Sequence, residues 1–435
     1  MLAVITYVNS VGWFNQHLNM LNRAGEKAGL LNGTGLAVAI VLMLLFTTMN
    51  LAGAKFLSES NVIIVIWKTL VPILAIVVVA SLQFNPANFH AGGGFMPFGF
   101  HGVFAALTGG VVFALQGFEQ AVQLAGEARN PKRDVSRAIL TAMAIGALLY
   151  SLLQVTMIGG LNPQNLVSGW AQPLGTDPSD YGAWYTVALA VGAAWLAKVI
   201  LIDAVISPAG TGIVYVATSA RLSYALGEER ELPSALTHTN KRGVPVGSIL
   251  LSTVIGLLAF GPFKSWAALV NVITAATAIM YAFAPVSLAA LQKIDPGRRR
   301  TYRVPQPGLL LPAAFCSANL IIYWGGFDTT WKLVCAVAAG LLIFALGAWR
   351  AQTGALRTMR NALWIGPWLA GQVLIGWLGR YGSGARNFIP SWLDIGLVIA
   401  FALIIFYWAV SLANSNAQAS AAVEKDKRQL EIAAA

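Results

Sequence analysis

Long apolar stretches recur along the whole chain, each about 18–25 residues, and they limit the fold more sharply than any other feature. A helix of that length crosses a hydrocarbon core of roughly 30 Å. The runs are continuously apolar rather than alternating, which excludes a β-barrel. Charge is scarce between them: 10% of the 435 residues are charged and 57% are hydrophobic, with a mean hydropathy of +0.68. A soluble domain carries about 25% charged residues. The pattern predicts an all-α polytopic membrane protein with about twelve spans, at 1–18, 35–53, 60–82, 103–126, 135–159, 196–222, 246–262, 266–291, 308–325, 331–349, 362–378 and 394–413. Tyr181–Trp195 reads as a short surface helix or as the start of the sixth span.

The formal net charge of +11 raises nucleic acid as a partner. Its distribution points instead to loops. Most of the 28 lysines and arginines fall in alternate loops: Lys55, the group from Arg129 to Arg137, Arg221 to Arg242, Lys293 to Arg303, Arg350 to Arg360, and Lys425 to Arg428. That asymmetry is the positive-inside pattern of a plasma-membrane protein. It predicts a multi-pass protein of the cell inner membrane with residues 1–413 as the transmembrane domain and 414–435 as a cytoplasmic tail. The two cysteines, Cys316 and Cys335, lie inside apolar runs and read as core residues rather than as metal ligands or a disulfide. No phosphate-binding loop, zinc motif or nucleophile–base set occurs, so the chain reads as neither an ATP-driven pump nor an enzyme, with no cofactor and no metal. His90 and His101 bracket a Gly-rich loop that reads as a cover over the bundle. The first span starts at Met1 and is polar, with Asn9, Ser10, Asn15 and Gln16.

Four segments occur in an order that resembles the amino acid–polyamine–organocation (APC) permeases. Phe113–Leu140, FALQGFEQAVQLAGEARNPKRDVSRAIL, is similar to the family's sixth helix, with its Gly-aromatic-acid triplet at Gly117, Phe118 and Glu119. Ser219–Pro233, SARLSYALGEERELP, resembles the end of the eighth helix; Tyr302–Pro305, YRVP, the tenth-to-eleventh connection; and Asn61–Leu70, NVIIVIWKTL, the fifth helix with its buried lysine. The resemblance implies a leucine-transporter-like five-plus-five inverted repeat with extra C-terminal helices. It sets the first span at the family's third helix, so it implies an N-terminally truncated member without the family's Gly-rich first helix. The layout is similar to the branch that includes bacterial aspartate–proton symporters.

Candidate site residues follow. A glycine at mid-span between aromatics and an acid reads either as a helix break or as a close-packing position; a break is tolerated only where it lines a cavity or is covered by protein. Freed carbonyls take a substrate ammonium and freed N–H groups a carboxylate. With the resemblance, Phe113, Ala114, Leu115, Gln116, Gly117 and Phe118 are the expected substrate-binding segment. Glu119, an acid within a span, reads as a proton carrier or as a ligand of polar backbone on a neighbouring helix. Glu127 reads as one half of an ion pair with Arg129 or Lys132.

Lys68 stands amid apolar neighbours near mid-span, and burial disfavours the charged form of a lysine. It reads as the proton-coupling residue or as a structural lysine held by carbonyls. The resemblance sharpens the first reading, because in proton-coupled members this lysine occupies the place of a sodium ion. Ser207 and Thr211 are expected to face it as supporting polar groups. Lys198 and Asp203, five apart near the outer start of their helix, are poorly spaced for a pair, and each is expected to meet water or a loop. The expected function is secondary transport of an amino acid coupled to a proton. The alternatives are an amino acid/amine exchanger and a truncated, non-transporting remnant.

Overall fold

The computed structural model describes residues 2–413 and Glu424, apart from 11–15, 23–29, 53, 124, 126–127, 129, 168, 171–172, 175–181, 229–231, 261–265, 298–299, 301 and 351–361. Among the described residues the chain is mainly helical, and extended pairing is confined to two isolated bridges, Leu21–Leu31 and Thr239–Pro245. The helices in chain order are α1 (Leu2–Ser10), α2 (Gly33–Leu51), α3 (Ala54–Leu82), α4 (Gly99–Ala106), α5 (Val112–Leu115), α6 (Glu119–Gln123), α7 (Pro131–Gly160), α8 (Ala183–Ala190), α9 (Ala194–Glu228), α10 (Val246–Ala259), α11 (Trp266–Ile294), α12 (Pro307–Trp324), α13 (Phe327–Arg350), α14 (Ile365–Leu378) and α15 (Leu393–Ala413). Every expected span contains helix. This is an all-α polytopic membrane protein.

Eight of the described helical stretches are long and apolar enough to cross a membrane, with α10 and α14 as shorter apolar helices. At 14 residues each, these two rise about 21 Å at 1.5 Å per residue, less than a full hydrocarbon core. Of the expected first span, helix is described over Leu2–Ser10, where Asn9 Oδ1 accepts the Met20 N–H at 2.7 Å. Asn15 and, Glu424 excepted, the tail 414–435 lie outside the described residues. The 181–195 stretch resolves as a separate short helix, α8, ended by a turn in which Gly192 has φ +80°.

The chain divides into two units: residues 1–100, 117–129 and 137–269, and residues 101–116, 130–136 and 270–435. In the first unit α9 is the hub. Its 35 residues pack against α1, α2, α3, α8 and α10. Small residues bring these helices close. A Cβ on Gly210 would stand 2.7 Å from Ile64 of α3, and one on Gly212 2.9 Å from Phe46 of α2. Such small-residue seams carry helix association where lipid supplies no hydrophobic drive. Outward-facing Ile63, Val77, Leu148 and Leu258 are exposed, as lipid-facing side chains are.

In the second unit α12 packs on α14 and α15 around Phe315, Trp364, Trp368 and Phe406. The ring centroids of Phe315 lie 5.6 Å from Trp368 and 5.8 Å from Phe406. Two polar clusters fix the same helices. Asn319 Oδ1 accepts the Trp368 indole N–H at 2.6 Å. Asp394, buried at the start of α15, accepts the Tyr323 hydroxyl at 2.7 Å and Arg380 Nε at 3.0 Å. Outside the spans, burial and the nearby Asp394 carboxylate push the Tyr381 phenol above its ordinary value, partly offset by Arg380.

Neutralising Asp394 removes the acceptor of both donors and leaves the partly buried guanidinium uncompensated. Asp394→Asn is expected to cost about 3 kcal/mol, read as a clearly lower melting temperature of the purified protein in detergent. Ser391→Ala, which removes an exposed partner of Arg380, should leave the melting temperature within error.

Candidate functional site

The stretch Gly99–Gln123 is long and apolar enough to span, yet it is not one helix. After α4 the chain widens into a π-helical turn at Leu107–Val111, which contains Gly109 and Gly110. It returns to α-helix for four residues, then stops. Gln116 is extended, with φ −74° and ψ 164°, and Gly117 has φ +109°. That φ is costly for any residue with a Cβ. The space beside Gly117 is not the constraint, since a Cβ there would meet only the Tyr215 hydroxyl, at 3.7 Å. The glycine is therefore required by conformation, and the close-packing alternative does not account for it.

The break separates two sets of backbone groups. Among the described residues no backbone N–H reaches the carbonyls of Ala114 and Leu115. Past the break, the Gly117 N–H donates to Glu119 Oε2 at 2.9 Å. The Gly117 and Phe118 carbonyls accept from Gln120 and Ala121, each at 3.1 Å, and start α6. Glu119 Oε1 also accepts from Gln120 Nε2 at 3.3 Å and from the Tyr215 hydroxyl at a long 3.5 Å. Before the break, Gln116 Nε2 reaches the Thr274 carbonyl at 3.5 Å, while its Oε1 is buried without a hydrogen-bond partner. Glu119 holds broken backbone of its own segment rather than that of a neighbouring helix. The N–H group of Gly117 is thus already occupied by a carboxylate. Among the described residues, the Ala114 and Leu115 carbonyls and the Gln116 Oε1 are acceptors suited to an ammonium. Glu127 and Arg129 lie outside the described residues.

Lys68 sits on α3 within the span Val62–Leu82 and is half-buried. The hydroxyls expected to face it do not hydrogen-bond to it. Thr211 donates to the carbonyl of Ser207 at 3.1 Å, one turn back on its own helix, and is exposed. Asp203, expected to meet water or a loop, is part-buried more than two turns inside α9.

A family model described as amino acid permease matches residues 1–349. The chain belongs to the amino acid permease family. It is 30% identical over 390 residues to the glutamate/serine transporter AimA of Bacillus subtilis (strain 168), which covers 88% of this chain and 71% of that protein. It is 32% identical over 381 residues to the aspartate–proton symporter of the same organism, covering 86% and 72%. A branched-chain amino acid permease of Lactococcus lactis is similar at 24% identity over 73% of the chain and 66% of its own length. The permease assignment fits a multi-pass membrane protein whose broken helix offers polar backbone at span depth.

Gly117→Ala tests whether the break itself is used. Holding an alanine at this φ costs about 1–3 kcal/mol, so the segment is expected to straighten. Substrate uptake should fall at least tenfold, while the amount of monodisperse protein on size-exclusion chromatography stays near wild type.

Proposed function

We propose that the chain performs secondary active transport of an amino acid across the cytoplasmic membrane, coupled to a proton by symport. The observation that carries this reading is the break at Gln116–Gly117 within an otherwise apolar span. Broken backbone at membrane depth is costly and persists where it lines a cavity or a ligand site. The Ala114 and Leu115 carbonyls are suited to the substrate ammonium. Gln116 adds a side-chain amide, and Phe113 and Phe118 shape or gate the space around it.

Similarity to proteins named as an aspartate–proton symporter and a glutamate/serine transporter makes acidic amino acids and serine the first substrates to test. Lys68 and Glu119 are the proton-coupling candidates, with Ser207 and Thr211 as supporting polar groups of α9. Glu119 ties the substrate segment to Tyr215, so a change in its protonation would loosen the Gly117 N–H. The distribution of lysine and arginine supports an inner-membrane location with the C-terminus in the cytoplasm.

The test is radiolabelled uptake into proteoliposomes with acidic, neutral and basic amino acids, with and without an inward proton gradient. Gradient-stimulated uptake of at least one of them is expected, and uptake indifferent to the gradient for all of them would overturn symport. Lys68→Ala should abolish the gradient stimulation, by tenfold or more, while exchange of internal for external substrate persists.

A further inference from the structure

Three side chains before the break, His101, Phe104 and Thr108, follow one another at intervals of three and four, the spacing of one helical face. Each meets the C-terminal part of the chain. The ring of His101 stacks on Tyr381 with centroids 4.7 Å apart. Phe104 lies flat on Trp324 at 4.6 Å, the planes within 3° of parallel, and crosses Trp392 at 85° with centroids 6.2 Å apart. Thr108 is buried in the π-helical turn, and its hydroxyl is shared between the Ala105 carbonyl at 3.2 Å and the Trp324 carbonyl at 3.3 Å. Trp324 is the last residue of α12, where a helix leaves its C=O groups without helical partners. All of these residues belong to the second unit.

The surface that receives the three side chains is itself tied together. The Phe327 N–H, just past α12, donates to the Tyr381 carbonyl at 3.0 Å. A Cβ on Gly326 would stand 2.7 Å from Gly382, so the two backbone turns touch. Tyr381 packs against Tyr323 at 5.3 Å, and the Tyr323 hydroxyl is held by Asp394. Trp392 has φ +73°, a left-handed conformation that a bulky residue rarely takes. Strain of that kind persists only where the surroundings fix it, and it gathers at ligand clamps and switch regions. Here it places the indole at right angles to Phe104. Tyr381 and Trp392 lie beyond residue 349, where the permease match ends.

We propose that the C-terminal helices α14 and α15, with the corner between α12 and α13, position the substrate helix, and that Phe104 is the positioning residue through which they act. This rests on the reading of the break at Gln116–Gly117 as the substrate site. Aromatic pairs at these separations attract beyond their buried area. From Phe104 the π-helical turn and α5 run directly to the Ala114 and Leu115 carbonyls. Without the stack the segment before the break has more arrangements open to it, and a fraction of them presents both carbonyls together. Apparent affinity for substrate falls by that fraction.

The experiment is initial-rate uptake of radiolabelled aspartate, glutamate and serine by the full chain in proteoliposomes. KM, maximal rate and melting temperature are compared for wild type, Phe104→Ala, Phe104→Tyr, Trp392→Ala and Phe406→Leu. Phe406 belongs to the aromatic core of the same unit, in a cluster apart from Phe104, so Phe406→Leu reports destabilisation alone. Phe104→Ala is expected to raise KM about fivefold with the maximal rate little changed, and Trp392→Ala to raise it by a smaller factor. Phe104→Tyr, which keeps the ring, should stay near wild type. Phe406→Leu should lower the melting temperature and leave KM unchanged. An unchanged KM in Phe104→Ala would overturn the proposal. So would an equal rise in Phe406→Leu, which would make the effect one of stability. If Phe104→Ala does not fold, Phe104→Leu and Trp392→Ala are expected to raise KM, and wild-type values in both would overturn the proposal. A wild type that takes up no amino acid sinks the transport reading and this proposal with it; a wild type that transports while the variants keep its KM sinks this proposal alone.

Discussion

Backbone N–H and C=O groups at membrane depth have no water to bond, and this requirement dictates the architecture. It turns the apolar stretches into helices, and it makes any departure from helix a place that has to be accounted for. The stretch Gly99–Gln123 departs twice, at the π-helical turn of Leu107–Val111 and at Gln116–Gly117. Past the second departure the Glu119 carboxylate takes up the released Gly117 N–H, and two short bonds restart the helix. Before it, no backbone N–H among the described residues reaches the carbonyls of Ala114 and Leu115.

Charges in or next to the spans obey the same constraint, and the two units meet it differently. In the second unit Asp394 is saturated by the Tyr323 hydroxyl and Arg380, whose remaining donors reach Ser391 and the Ile389 carbonyl. Such a closed network fastens helices and has nothing left to bind. In the first unit Asp203 stands in no such closed network among the described residues.

Much of the fold could be read from residues alone, because hydropathy and length act locally. Each expected span contains helix, and of the two readings of Gly117, a break or a close-packing position, the backbone at Gln116–Gly117 is a break. The shorter helices α10 and α14 fall below the length expected of a full span, and the 181–195 stretch became a separate helix where Gly192 turns the chain. The polar partners were less legible. Ser207 and Thr211 were expected toward Lys68, but the Thr211 hydroxyl is used by its own helix, a common fate of threonine in an apolar span.

The sequence by itself determined that this is a polytopic all-α membrane protein of the amino acid permease family, since span length, hydropathy and motif order are properties of neighbouring residues. It also marked Gly117 as a candidate break, since glycine accepts a φ that is costly for any residue with a Cβ. Only the tertiary structure decided that the break is there and that Glu119 occupies the freed N–H. Which side chains meet depends on how helices far apart in the chain pack. That packing follows from close approaches such as Ile64 on Gly210, and no spacing along one helix encodes it.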